Sequence, residues 1–166
     1  MHLRETVIKE FEEELLSMSA IRDEEIFRQI LESCKPIGCC IEIGTYIGLS
    51  AALLSEYATI VHTYDVCNMI QRDIIWKRFK VKNVVFHHIK NDTEKVLPSE
   101  FDFAFIDGQH NGDGPAKDFE LVKRCECVLF HDYKHNIIKD DNVIKFVDSI
   151  KEGKVIINEP FALWTK

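Results

Sequence analysis

No C-x-x-C pair occurs among the six cysteines of this 166-residue chain, which removes the commonest zinc and thioredoxin-type signatures. Cys39 and Cys40 sit in one apolar run, and Cys125 and Cys127 alternate in another. They read as small buried hydrophobes of a reducing compartment, without disulfides. Long apolar runs are also missing, so no stretch reaches the length of a membrane span. The opening Met1-His2-Leu3-Arg4-Glu5 lacks the apolar region of a signal peptide, and a cytoplasmic location is expected. Basic charge is scarce: 21 Lys and Arg stand against 28 Asp and Glu, a net charge of −7. The basic cluster Lys77-Arg78-Lys80-Lys82 is short and reads as a solvated helix end. This charge balance argues against a nucleic-acid substrate. Internal repeats, low-complexity tracts and long linkers are absent.

What is present suits one globular domain over 1–166, because a chain of this length buries a sizeable core. Residues 1–35 read as N-terminal helices and 36–166 as a ligand-binding core. Leu3, Val7, Ile8, Phe11, Leu15 and Leu16 recur at helical spacing over 3–18. That amphipathic segment is a candidate either for packing on its own sheet or for forming a homodimer. Asp23 is placed to cap a second helix carrying Ile26, Phe27, Ile30 and Leu31. Pro36 and Gly38 end that pattern.

From there strands and helices alternate. Strands are expected at Gly38–Ile43, Thr59–Tyr64, Val84–Ile89, Phe101–Ile106 and around Val128–Phe130, with helices at Leu49–Tyr57, Ile70–Phe79, Ala116–Lys123 and Asn142–Lys151. Two further strand-like runs, Lys154–Ile157 and Phe161–Trp164, flank Asn158-Glu159-Pro160 and read as an antiparallel pair. The pattern predicts an α/β fold, a doubly wound and mostly parallel sheet with helices on both faces. In such sheets ligands bind beyond the carboxyl ends of the strands. Glu42, Asp65, Asp107 and His131-Asp132 all fall at those ends.

Cys39–Ser50 reads as a buried strand that turns on glycine and opens into a helix, which aims backbone N–H groups at one spot. A dinucleotide fingerprint needs G-x-G-x-x-G, but Tyr46 occupies the position of its second glycine and would block the pyrophosphate. With only Gly44 and Gly48, the loop suits a ligand bearing a single carboxylate, such as S-adenosylmethionine.

Three motifs occur in order: E-I-G-x-x-x-G-x-S at Glu42–Ser50, F-I-D-G-x-H at Phe105–His110, and a strand ending His131-Asp132. Together with Asp65 they make the chain resemble a class I S-adenosylmethionine-dependent methyltransferase. Within that class it is similar to small metal-dependent O-methyltransferases of the catechol and caffeoyl-coenzyme A type and to sugar and antibiotic methyltransferases. The resemblance covers about residues 36–166. It implies a seven-stranded Rossmann-like sheet with an antiparallel C-terminal hairpin. Where catechol-type enzymes carry Asp-Asn after the fifth strand, Asp132 here is followed by Tyr133.

The implied activity is methyl transfer to a small-molecule or sugar hydroxyl. A nucleotide-dependent oxidoreductase and a non-catalytic cofactor-binding or partner subunit are the competing readings. Gly44, Thr45, Tyr46, Gly48 and Ser50 are the candidate residues around the methionine carboxylate, with a plain strand-to-helix turn as the alternative, and Glu42 is placed for the ammonium, with a solvated strand-end carboxylate as its alternative. Asp65, about 20 residues beyond the turn, is placed for the ribose hydroxyls, with capping of the next helix as its alternative. Asp92 and Thr93 stand where the resemblance puts adenine contacts, with a turn-forming Asx motif as the alternative.

Asp107, His131 and Asp132 are the candidate ligands of Mg²⁺ or Mn²⁺, or else substrate or capping residues. Neighbours in a strand point to opposite faces, so His131 and Asp132 converge only if the chain turns there. Asp107 also counts as catalytic and cofactor-binding. His110 is the candidate general base, with His131 and His135 as rivals. The loop Asn111–Pro115 is a candidate cover over substrate. Trp76, Tyr133 and Trp164 are either substrate-facing or, by the commoner pattern, packed. His87 and His88 fall inside a strand, one expected buried and one exposed.

Overall fold

A computed structural model of the chain describes residues 20–90, 96–134 and 141–166. The expected helix over 3–18, Asp92, Thr93 and His135 lie outside the described residues. A 3-10 turn at Ala20–Asp23 leads into α1 (Glu24–Ser33), followed by β1 (Ile37–Ile43), α2 (Leu49–Leu54), β2 (Ala58–Asp65), α3 (Ile70–Arg78) and β3 (Val84–His88). Then come β4 (Phe103–Ile106), α4 (Gly114–Val122), β5 (Cys127–Phe130), α5 (Asn142–Ser149), β6 (Lys154–Asn158) and β7 (Phe161–Thr165).

The strands form one seven-stranded sheet in the order β3-β2-β1-β4-β5-β7-β6. β3, β2, β1, β4 and β5 run parallel, and β7 pairs antiparallel with both β5 and β6. The order reverses between β1 and β4, which is the switch point where a doubly wound sheet opens a crevice.

Burial on both faces explains the near-continuous apolar strands. On one face Phe27, Leu31, Leu49, Leu53 and Ile75 of α1–α3 pack on Cys40, Phe103, Phe105 and Phe161. Phe27 lies 4.7 Å from the Phe105 ring and 5.2 Å from Phe161. On the other face Phe119, Val122, Val143 and Val147 of α4 and α5 cover Ile41, Ile43, Ala104, Ile106, Val128 and Phe130. The cysteines are all free; Cys40 and Cys125 are buried, Cys34, Cys39 and Cys127 are half-buried, and Cys67 is exposed. No helix among the described residues is long and apolar enough to cross a membrane.

Several boundaries depart from the sequence expectation for local reasons. α2 stops at Leu54 rather than Tyr57, because the Asn83 side chain donates to the carbonyls of Ser55 (3.0 Å) and Ala58 (2.9 Å) and holds a turn there. β4 starts at Phe103 rather than Phe101: the Asp102 carboxylate turns across to accept the N–H groups of Gly38 (2.9 Å) and Cys39 (2.8 Å). Asp23 does not cap α1 through its side chain; its carboxylate sits 3.3 Å from Arg22 instead. The expected cover Asn111–Pro115 is partly helix, since Gly114 and Pro115 open α4.

Candidate active site

The carboxyl ends of β1, β2, β4 and β5 build one polar crevice. β1 ends in a turn that requires unusual backbone. Gly44 has φ +98°, and a Cβ there would lie 2.1 Å from the backbone oxygen of Asp107. The glycine therefore lets the β1 and β4 loops touch. Tyr46 adopts a left-handed φ of 47° despite its side chain. At Gly48, φ +78°, a Cβ would lie 2.7 Å from the Trp76 indole nitrogen and 2.8 Å from Arg72 Cγ, and the Trp76 indole donates to the Gly48 carbonyl at 2.8 Å.

Asp65 at the end of β2 braces this turn. One of its oxygens accepts the Tyr46 N–H and the other the Cys67 N–H, each at 2.7 Å. It does not cap α3, whose cap position is Met69. Each carboxylate oxygen retains acceptor capacity for a ligand hydroxyl.

Behind the turn, Glu42 is fully buried. Thr63, its register neighbour on β2, donates to Glu42 Oε2 at 2.5 Å, and the Thr45 hydroxyl pairs with that of Thr63 at 2.5 Å. Glu42 Oε1 is buried without a hydrogen-bond partner among the described residues. Burial pushes the Glu42 carboxyl up to about 8, with the hydroxyls of Ser50 and Thr63 pulling the other way and Asp107 and Asp65 adding to the rise. A solvated strand-end carboxylate is therefore excluded. Ser50 is buried at the start of α2.

The second half of the crevice lies over β4 and β5, which pair Ile106 with Phe130. The His131 N–H donates to the Ile106 carbonyl at 3.1 Å, which sets His131 beside Asp107. At Asp132 the chain turns through a left-handed φ of 60°, and the Tyr133 N–H bonds the Pro160 carbonyl at 2.8 Å. This turn lets neighbours 131 and 132 converge. His131 Nδ1 lies 3.0 Å from Asp107 Oδ1 and 3.4 Å from Asp132 Oδ1. One ligand atom from each of Asp107, His131 and Asp132 falls within a 4.8 Å cluster. His110 reaches over them, its Nε2 3.4 Å from Asp132 and 3.8 Å from Asp107. Burial opposes a charged His131, but the charge and hydrogen bond of Asp107, with Asp132 and Asp23, outweigh it and raise the pKa.

Two participants escaped the sequence reading. Thr63 is signalled only by a hydroxyl two residues before Asp65, in a strand that also carries Thr59 and His62. Asp23 reaches the field of His131 from the N-terminal turn, and nothing local in sequence marks it. Three aromatic candidates are packed: Trp76 lies behind the turn, Tyr133 donates to Asp148 at 2.8 Å, and Trp164 donates to the Glu152 carbonyl at 2.6 Å. His87 is half-buried and bonded to His62 at 3.0 Å, while His88 is exposed.

The sequence model of a family described as "Methyltransferase domain" matches residues 41–133, more than half of the chain. The chain belongs to this methyltransferase family. The match runs from β1 through the glycine turn to the residue after Asp132, so it contains both halves of the crevice. No curated protein matches the sequence significantly. Among solved structures, the methyltransferase fold is shared with an O-methyltransferase from Bacillus cereus in complex with S-adenosylhomocysteine, at TM-score 0.71 and 17% identity, covering 99% of this chain and 90% of that one. An N-methyltransferase, NodS, from Bradyrhizobium japonicum, also in complex with S-adenosylhomocysteine, aligns at TM-score 0.62 and 13% identity over 99% of this chain and 96% of its own. An rRNA methylase from Streptococcus thermophilus aligns at TM-score 0.61 and 12% identity over 86% and 95%.

Proposed function

We propose that this methyltransferase-family protein transfers the methyl group of S-adenosylmethionine to a hydroxyl of a small molecule or sugar. The contact between Gly44 and the Asp107 backbone carries this reading, because it fuses the glycine turn and the acidic–histidine cluster into one crevice. The residues fit the donor. Glu42 Oε1 is a buried acceptor lacking a partner among the described residues, suited to an ammonium group, and Asp65 fixes the turn while keeping acceptor capacity for ribose. Tyr46 narrows the approach that a pyrophosphate would need.

Bound S-adenosylmethionine supplies an electrophilic methyl group on a sulfonium. The chain's own contribution is to hold donor and acceptor in line at contact distance, which supplies several orders of magnitude in rate, and to remove the acceptor's proton. His110 is the base in this reading. It is more exposed than His131 (side chains 26% and 3%), and its Nε2 faces the carboxylates, which leaves Nδ1 to take the proton. His131, held toward its protonated form between Asp107 and Asp132, orients the two carboxylates.

With the His131 ring neutral and its proton displaced, Asp107, His131 and Asp132 also fit a divalent cation. Two carboxylates and an imidazole converge, a donor set suited to Mn²⁺ or Mg²⁺. A cation held there would lower the pKa of an acceptor hydroxyl.

The net charge of −7 supports a small acceptor over a nucleic acid. Radiolabelled S-adenosylmethionine offered with a panel of sugars, phenols and carboxylates tests the proposal. Label on a hydroxyl compound supports it. Retained cofactor binding without transfer to any acceptor supports a non-catalytic subunit instead.

A further inference from the structure

Asp132 and Lys134 both hold left-handed backbone, φ 60° and 57°, with Tyr133 between them. Neither is glycine, so each conformation persists only where its surroundings fix it. The turn at Asp132 matters to the crevice, because it brings the carboxylate to 3.4 Å from both His110 Nε2 and His131 Nδ1. Relaxed to extended backbone, residue 132 would point to the face opposite His131. Tyr133 supplies the fixing. Its backbone N–H is bonded to the Pro160 carbonyl at 2.8 Å, its side chain is buried in the cluster of Val143 and Val147, and its hydroxyl donates to Asp148 Oδ1 at 2.8 Å. Burial first, then Asp148 and Glu159, push the Tyr133 phenol up to about 12, so it stays a donor across the neutral range. The Lys134–Glu159 pair, 3.4 Å apart, is more than half exposed on both sides and too solvated to hold the turn.

Asp148 stands against the preference of its own helix. It lies in the last turn of α5, where the dipole disfavours an acid and no basic residue offsets it. The hydrogen bond from Tyr133 accounts for a carboxylate there. Asp148 also lies beyond residues 41–133, the part that matches the family model.

We propose that Asp148 is a positioning residue, which acts through the Tyr133 hydroxyl to hold the left-handed turn and so to aim the Asp132 carboxylate at His110 and His131. Its effect on turnover rests on the methyl-transfer reading; its effect on the geometry of the cluster does not.

Histidine ring nitrogen NMR spectra of the full chain, at one pH and without added metal, are the test. Asp148→Ala and Tyr133→Phe remove the same bond. Each should shift the ring signals of His110 and His131, and the double variant should shift them no further. The signals of His62, His87 and His88, on β2 and β3, should stay in place, which a general loosening of the fold would not allow. Asp148→Asn keeps an acceptor and should stay nearer the wild type than alanine. Alanine is also the better helix former, so Asp148→Ala keeps α5 itself. With an acceptor that takes label from S-adenosylmethionine, Asp148→Ala should lower kcat about tenfold or more and leave affinity for S-adenosylhomocysteine within a few-fold. A wild type that transfers no label while the variants show the spectral pattern contradicts the methyl-transfer reading and supports the positioning. Three results would overturn the positioning: His110 and His131 signals that Asp148→Ala leaves unmoved, a shift of all the histidines together, or an asparagine variant no closer to the wild type than alanine.

Discussion

Gly44 and Asp107 touch through backbone: a Cβ on Gly44 would stand 2.1 Å from the Asp107 carbonyl oxygen. Gly44 also holds φ +98°, outside the range L side chains tolerate. Gly44→Ala should therefore strain the turn and push β1 from β4, costing roughly 3 kcal/mol or more. Chemical denaturation gives the stability, and calorimetry should show at least tenfold weaker binding of S-adenosylhomocysteine. Unchanged binding would separate the turn from the ligand site.

Asp65 organises the same turn through two charge-assisted hydrogen bonds. Asp65→Ala should cost roughly 2–4 kcal/mol and reduce cofactor affinity by more than tenfold. Asp65→Asn keeps the shape but loses the charge, and should fall between wild type and alanine in both readouts.

Glu42 gives the protein a pH-dependent stability. The folded carboxyl titrates near 8 against an ordinary value of 4.5. Its contribution is fully present below about 4.5 and is lost as pH rises through about 8, because the unfolded chain ionises first. The upper bound is roughly 4–5 kcal/mol at about 1.4 kcal/mol per tenfold in the ionisation equilibrium. Denaturant melts from pH 4 to 9 should show this falling slope, and Glu42→Gln should flatten it. An ammonium placed on Oε1 would ionise Glu42, so S-adenosylhomocysteine binding near neutral pH should release protons. Calorimetry in buffers of different ionisation enthalpy measures that release.

His110→Ala should lower kcat by roughly 10²–10³ and leave affinity for S-adenosylhomocysteine within a few-fold. An equal loss of cofactor binding would place His110 in the donor site instead.

For the cation reading, Mn²⁺ titration followed by electron paramagnetic resonance should reveal one site per chain that Asp132→Asn and Asp107→Asn each weaken. No bound Mn²⁺ at millimolar concentration would leave Asp107, His131 and Asp132 as an acid–base cluster alone.

Much of the fold was legible because its determinants are local. Apolar runs bounded by glycine, proline and acidic residues marked each strand of the parallel core, and the strand-end rule gathered Glu42, Asp65, Asp107 and His131-Asp132 at one edge. What was not legible depends on contacts distant in sequence. The early stop of α2 comes from Asn83, and the late start of β4 comes from Asp102 reaching across to β1. The convergence of His131 with Asp132 needed the left-handed turn at 132. Thr63 acquires its role only through the register that sets it beside Glu42.

Calorimetric titration of the purified chain with S-adenosylhomocysteine, with NAD as the control ligand, tests most directly whether the glycine turn is a methyl-donor site. Micromolar binding at one site, weakened by Asp65→Ala, is expected, with no binding of NAD. No affinity for S-adenosylhomocysteine, or binding of NAD in its place, would contradict that assignment.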